Sequence, residues 1–281
     1  MNKDFIKDEN KEKLAVILCG GPGSRMGGLV SNKPKTLLEV HGKPILWYIF
    51  WSLYKYSFRK IILPIGYKGN QIEDYMKEIS SNTDCEIIAV DTGVDTSIGE
   101  RMERISDIIQ DDSDFFLLNS DTIFDFDIDK MYRIHRSSNS LVTLSSVEVA
   151  SPWGIMSIKD DKLIGFTRDR SVQKLISKDA EEGFGLVNSG LAWINKSSLA
   201  LIDLNSCRDF ETAVFQKAIE MQRASYFQIE GTWIPIDTPK DLNSINLTID
   251  DELSHSVIAK DMLRKFDEFE KSGNGPRAEY E

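Results

Sequence analysis

Histidine and cysteine are scarce in this 281-residue chain, with three of each. His41, His135 and His255 stand far apart, so each reads as a surface or core residue and not as part of a histidine-built site. Cys19, Cys85 and Cys207 are odd in number and lack metal-like spacing, and a chain of this length needs no disulfides to stabilise its core. A reduced, cytoplasmic protein is expected. Long apolar runs are absent too: the greasiest stretch, "PILWYIFWSLY", falls well short of the roughly 20 residues that span a bilayer. The opening "MNKDFIKDENKEK" contains no apolar stretch that could serve as a secretory signal. A basic excess is also missing. The net charge of −11 excludes a protein that coats nucleic acid or an anionic membrane, because such partners are held by a net positive field. Any anionic ligand must meet a local basic cluster.

What the chain does have is alternation. The 41% of apolar residues suffice for one large core. From Leu14 the runs "LAVIL", "KIILPIGY", "EIIAV" and "FFLLN" read as buried strands, separated by stretches in which apolar residues recur at helical spacing. The resulting β-α-β-α order, closed by right-handed crossovers, predicts a mainly parallel sheet flanked by helices. After Leu141 the pattern shifts to short strand candidates, "LVTLSSVEV", "GIMSIKD", "KLIGFT" and "SGLAWI", which predict a small antiparallel extension. Helices return near Phe210 to Gln222 and from Pro239. The charged "RDRSVQKLISKDAEEGFG" reads as a loop or flap, and "EKSGNGPRAEYE" as a frayed tail.

The first strand runs into "LCGGPGSRMGG", a loop suited to phosphate. A P-loop would need Lys-Ser/Thr after its last glycine, and none follows Gly27 or Gly28. A dinucleotide fingerprint fits Gly21 and Gly23 but meets Met26 where its third glycine belongs. A third reading starts from charge: between Gly20 and Pro44 the chain sets Arg25, Lys33, Lys35 and Lys43 against the single acid Glu39. Glycines at 20, 21 and 23 let backbone N–H groups approach a polyphosphate, and Arg25 offers a planar fork to its oxygens. The loop is suited to a nucleoside triphosphate.

"LCGGPGSRMGG" followed by "NKPKTLLEVHGKPILWYI" resembles the linked motifs of the sugar nucleotidyltransferase (nucleotide-sugar pyrophosphorylase) family, and the likeness extends through "LLNSDTIFDFDI", "VNSGLAWI" and "GTWIPIDTPKDL". It covers roughly residues 14 to 245. The resemblance implies a Rossmann-like sheet with a small antiparallel acceptor-binding extension, nucleotidyl transfer onto a phosphorylated acceptor with release of pyrophosphate, and a homo-oligomer. The nucleotidyltransferase domain is expected over 14–250, with a charged extension over 1–13 before it and a C-terminal helix and flexible tail over 251–281 after it. Within the domain, 14–140 would bind nucleotide and 141–250 the acceptor.

The same resemblance gives the expected site. Arg25 would grip the β and γ phosphates and Lys35 the α-phosphate, with Cys19, Gly20, Gly21, Gly23 and Ser24 around the nucleotide. Asp121 and Asp237 match the family's metal-binding aspartates, so Mg²⁺ is the expected cofactor; that ion favours one or two carboxylates together with phosphate oxygens and water. Asp125, Asp127 and Asp129 are left as turn and capping residues. "VDTGVDTSIGERMERI" resembles the Asp-Thr-Gly, then Thr-Gly-Gly-Arg, pattern of the glucose-1-phosphate cytidylyltransferase branch. It would set Ser97, Gly99 and Arg101 against a pyrimidine, although Glu100 replaces a glycine of that pattern. The expected substrates are therefore CTP and a phosphorylated small molecule. On the acceptor side, Asn188 and Ser189 resemble the family's binding turn, and Trp153 with Gly154 would wall the pocket. "FTRDR" departs from Phe-x-Glu-Lys-Pro, putting Asp169 where the family carries a lysine and leaving Arg168 or Arg170 for the acceptor phosphate. Guanylyl or uridylyl transfer, a non-catalytic nucleotide sensor and, less favoured by the missing third glycine, a dehydrogenase are the alternatives.

Overall fold

The computed structural model describes residues 12–81, 83–110, 113–148, 155–159, 162–167, 186–203, 209–247 and 255–272. Strand β1 (Lys13–Leu18) leads into an irregular loop with tight helical turns at Ser24–Val30 and Lys35–Leu37, then the ribbon β2 (Glu39–Val40) and β3 (Lys43–Pro44). Helix α1 (Ile45–Lys55), β4 (Phe58–Ile65), α2 (Gly69–Ser80), β5 (Glu86–Asp91), α3 (Ile98–Ile105), β6 (Asp114–Asn119), β7 (Thr122–Phe126) and α4 (Ile128–Ser137) complete the first half. The second half carries β8 (Val142–Val147), β9 (Ile155–Lys159), β10 (Lys162–Thr167), β11 (Val187–Asn195), α5 (Lys217–Glu220), β12 (Ala224–Gln228), β13 (Gly231–Pro235), α6 (Pro239–Asn246) and α7 (His255–Ser272).

Seven strands form one sheet in the order β12-β8-β11-β6-β1-β4-β5. All its pairings are parallel except those of β11, which runs against both neighbours. The mainly parallel sheet is as expected; of the short strands expected as an antiparallel extension, "LVTLSSVEV" and "SGLAWI" lengthen the main sheet as β8 and β11. Among the described residues of that region, β9 and β10 pair as a small antiparallel ribbon of their own. The reason is burial: Val142, Val147, Ala192 and Ile194 are all inside, and strands apolar on both faces belong in the middle of a sheet.

The apolar run "PILWYIFWSLY" also finds its explanation. Ten consecutive residues of α1, Ile45 to Tyr54, are buried, which is the fate of a helix apolar all round. Phe266 of α7 packs edge-on against Trp47 with ring centroids 5.9 Å apart, and Ser52 donates to the Phe124 carbonyl of β7 at 2.6 Å. The main core thus continues beyond residue 250 into α7, through Ala259, Met262 and Phe266. Across the sheet a second core joins Val16, Ile62 and Phe115 to Met102 and Ile105 of α3 and to Ala213 and Val214.

Candidate active site

The loops after β1, β4 and β5 meet at bare backbone above the carboxyl end of the sheet. The Gly20 carbonyl accepts from the Tyr67 N–H at 3.0 Å. A Cβ on Gly66 would stand 2.3 Å from the Gly93 carbonyl oxygen and 2.7 Å from that of Gly20, closer than any side chain permits. Ligands of open α/β sheets bind at this end.

Arg101 underpins the junction. Its side chain is buried at 4% exposure, with Nη1 donating to Thr92 Oγ1 at 2.5 Å and Nη2 to the Val94 carbonyl at 3.1 Å. A Cβ on Gly20 would fall 1.9 Å from Arg101 Nη1, so the guanidinium occupies the space that Gly20 leaves open. The residue expected against a base is engaged inside the fold. Burial pushes the neighbouring Cys19 thiol up to about 12, with the Arg101 charge opposing only in part; Cys19 serves as a small neutral filler of the loop. Ser97 is engaged as well. It caps α3 in a reciprocal box, its Oγ accepting from the Glu100 N–H while Glu100 Oε2 accepts from the Ser97 N–H at 2.8 Å. Glu100, the departure from the glycine pattern, is the capping partner. Gly99 lies buried in the first turn of α3.

Gly23 and Lys35 are placed by one another. Gly23 has φ +63°, and a Cβ there would lie 2.9 Å from Lys35 Cβ, so a glycine lets the lysine pass close to the loop. Gly21 differs: a Cβ added to it would meet nothing within 4 Å, which leaves its backbone open to a ligand. Ser24 begins the following turn and is exposed.

Lys35 then reaches two acids distant in sequence. Its Nζ lies 2.6 Å from Asp121 Oδ2 and 3.1 Å from Asp237 Oδ1, and Arg25 Nη1 lies 3.2 Å from Asp237 Oδ2. The antiparallel pairing of β7 with β13 builds this convergence. Pro235 sits opposite Thr122, and one residue further the Ile236 N–H donates to the Asp121 carbonyl at 2.9 Å. Asp121 and Asp237 therefore leave the ribbon side by side. Thr238, not Asp237, caps α6 in a box with Asp241, which frees the Asp237 carboxylate for Lys35. The Arg25 side chain is 70% exposed and that of Lys35 only 12%: the lysine is enclosed between the two acids, while the arginine lies at the surface. Of the three acids left as turn and capping residues, Asp127 caps α4, while Asp125 pairs with Lys55 at 2.9 Å and Asp129 with Lys13 at 2.7 Å.

Two carboxylates focused on one ammonium are a donor set for a divalent cation that brings phosphate oxygens as its remaining ligands. Among the described residues no group of three or more His, Cys, Asp or Glu could form a cage by itself. The fit is to a cation that arrives with a substrate.

The nucleotidyl transferase family model matches residues 14–252. The chain belongs to the nucleotidyl transferase family. Among relatives, it is 27% identical over 247 residues to the glucose-1-phosphate cytidylyltransferase of Salmonella typhimurium, covering 81% of this chain and 92% of that one. It is 28% identical over 230 residues to the mannose-1-phosphate guanylyltransferase catalytic subunit beta of Drosophila pseudoobscura pseudoobscura, covering 81% and 60% respectively. A Bacillus anthracis crystal structure, provisionally described as a glucose-1-phosphate thymidylyltransferase in complex with a sucrose, superimposes with a TM-score of 0.65 at 16% identity, covering 86% of this chain and 98% of that one. The last likeness concerns the fold alone. Among the described residues no helix is long and apolar enough to cross a membrane.

Of the residues expected at the acceptor, Trp153, Gly154, Arg168 and Arg170 lie outside the described residues. Asn188 is exposed and its Oδ1 accepts from the Gly190 N–H at 3.1 Å. Ser189 is 3% exposed: its hydroxyl bonds to that of Ser145 and its carbonyl accepts from Trp233 Nε1 at 3.0 Å. The Ser189 side chain therefore pins the turn from behind. Trp233, Asp241 and Asn119 all shape the site without having been expected there. Asn119 ends β6 and packs where a Cβ on Gly190 would stand. Only the Thr238–Asp241 spacing, a capping pattern just before a helix, carried a local signal.

Proposed function

We propose that this nucleotidyltransferase moves CMP from CTP onto a phosphorylated small molecule, a sugar 1-phosphate or a related phosphate ester. An oxygen of the acceptor phosphate attacks the α-phosphorus. The bond from that phosphorus to the α,β-bridging oxygen breaks, and pyrophosphate leaves with the electron pair. The nucleophile is already anionic, so positioning and charge neutralisation are the whole task and no histidine base is needed.

The observation that carries the reading is the Lys35 ammonium held between Asp121 and Asp237 with Arg25 beside them. Lys35, fixed against Gly23, faces charge growing on the α-phosphate; exposed Arg25 swings from Asp237 to the β and γ phosphates. Mg²⁺ held by Asp121 and Asp237 would neutralise charge on the triphosphate. The open backbone at Gly21 offers N–H groups to the phosphates. Similarity to the Salmonella cytidylyltransferase supports CTP. Guanylyl transfer is the second reading, favoured by the Drosophila relative and by the internal engagement of Ser97 and Arg101, which withdraws two expected base contacts.

Pyrophosphate release from purified protein with each nucleoside triphosphate, Mg²⁺ and a panel of phosphorylated acceptors tests the proposal. Turnover with CTP and a sugar phosphate is expected. Turnover with GTP or UTP in its place overturns the base assignment, and nucleotide binding without turnover by any pair turns the chain into a sensor. The family reading also predicts a cytoplasmic homo-oligomer, which sedimentation of the pure protein and fractionation of cells check.

A further inference from the structure

Between β11 and α5 the chain winds through a π-helical stretch, Glu211–Gln216. Such winding is rare and concentrates at functional sites. Here it borders a small cleft at the carboxyl end of the sheet, where Leu18, Leu144 and Phe215 supply apolar walls and Asn119, Asn188 and Glu211 supply polar atoms. Among the described lining residues Glu211 alone is ionisable. It touches the acceptor turn directly, its Oε1 accepting from Asn188 Nδ2 at 3.3 Å.

Glu211 is set in a fixed frame. Phe210 before it and Ala213 and Val214 after it are buried, and Asp209 Oδ2 accepts from the Thr212 N–H at 2.9 Å. The backbone is thus fixed and the exposed carboxylate stands at the rim of the cleft, bonded to Asn188; it can accept hydrogen bonds from a ligand, and it repels a second anion brought within a few ångströms, well inside the screening length.

We propose that Glu211 determines acceptor specificity: a substituent of the acceptor beyond its phosphate reaches the mouth of this cleft as a hydrogen-bond donor, hydroxyl or ammonium, and carries no negative charge. The inference rests on the transferase reading above for its substrate. Glu211→Gln separates charge selection from bracing, because the amide oxygen still accepts from Asn188 while the charge is gone.

The test compares glucose 1-phosphate, glucosamine 1-phosphate and glucuronic acid 1-phosphate, both as substrates with CTP and by calorimetric binding to the protein with a non-hydrolysable CTP analogue. The unaltered protein should favour the neutral and amino sugars over the acid by at least about tenfold, and Glu211→Gln should shrink that ratio several-fold with CTP affinity and melting temperature unchanged. Equal use or equal binding of the acidic sugar by the unaltered protein overturns the proposal, as does a Gln variant that weakens all three alike or a failure of all three to bind. Binding without turnover would sink the transferase reading while still deciding the role of Glu211.

Discussion

The indole N–H of Trp233 donates to the carbonyl oxygen of Ser189 at 3.0 Å, joining the strand that leads to Asp237 to the turn that presents Asn188. Trp233→Phe keeps an aromatic side chain but trims the indole to a single ring and removes this bond, itself worth about 1 kcal/mol. The acceptor KM should rise about fivefold while the nucleotide KM holds, as steady-state kinetics with each substrate varied in turn will read.

Lys35→Ala and Asp237→Asn should each lower turnover by at least about a hundredfold, the scale of a lost electrostatic contact to the reacting phosphate. The first leaves Asp121 without its 2.6 Å partner. Rates of pyrophosphate release within a few-fold of the unaltered protein in both variants would refute the roles given to these residues.

Within the cluster, Arg25 and Lys35 are balanced in charge by Asp121 and Asp237, so the bare site offers a triphosphate no net attraction. A chelator should therefore weaken nucleotide binding by about tenfold or more, and Mg²⁺ should restore it. Isothermal titration with and without EDTA makes the comparison, and equal affinities in the two would contradict the cation's place at the two acids.

Gly20→Ala and Gly21→Ala, adjacent and chemically identical changes, should act differently. At position 20 the new methyl would lie 1.9 Å from Arg101 Nη1, an overpacking that should cost about 1–3 kcal/mol of stability, visible in urea unfolding. At position 21 it meets open space, so stability should hold while nucleotide affinity falls.

Far from the cluster, Asp114 begins β6 with a side chain only 2% exposed. Burial pushes its carboxyl up, but hydrogen bonds from His135 and Asn195 and the charge of Arg136 outweigh burial and hold it below the ordinary value of 3.8. A depressed folded pKa contributes stability that is present above the unfolded pKa and lost as pH falls through the folded one. Asp114→Asn should be less stable near neutral pH by roughly 2 kcal/mol, and its stability relative to the unaltered protein should recover as pH falls below 3.8. Denaturation midpoints between pH 7 and pH 3 would show the convergence.

The sheet was legible because buried parallel strands read as short apolar runs, and "LAVIL" and "FFLLN" pair in register in β1 and β6. Of the charged cluster, Arg25 and Lys35 stood out in the local basic excess after β1, whereas Asp121 and Asp237 were legible through motif resemblance. Nothing in local periodicity marks Asp121 and Asp237 as neighbours, since the β7–β13 ribbon that joins them has strands of only five residues each. Arg101 and Ser97 show the opposite limit: a motif names residue types, but whether a guanidinium faces a ligand or a set of backbone carbonyls depends on how three loops pack. Glu211 carried no signal at all, because π-helical winding has no pattern of its own in the sequence.

That ribbon also orders events during synthesis. Lys35 and Asp237 are 202 positions apart, and chains fold from the amino end as they are made. A ribosome-bound chain that has released its first four sheet strands still lacks one jaw of the clamp, so a nascent polypeptide carries the glycine loop well before it can act on a nucleotide.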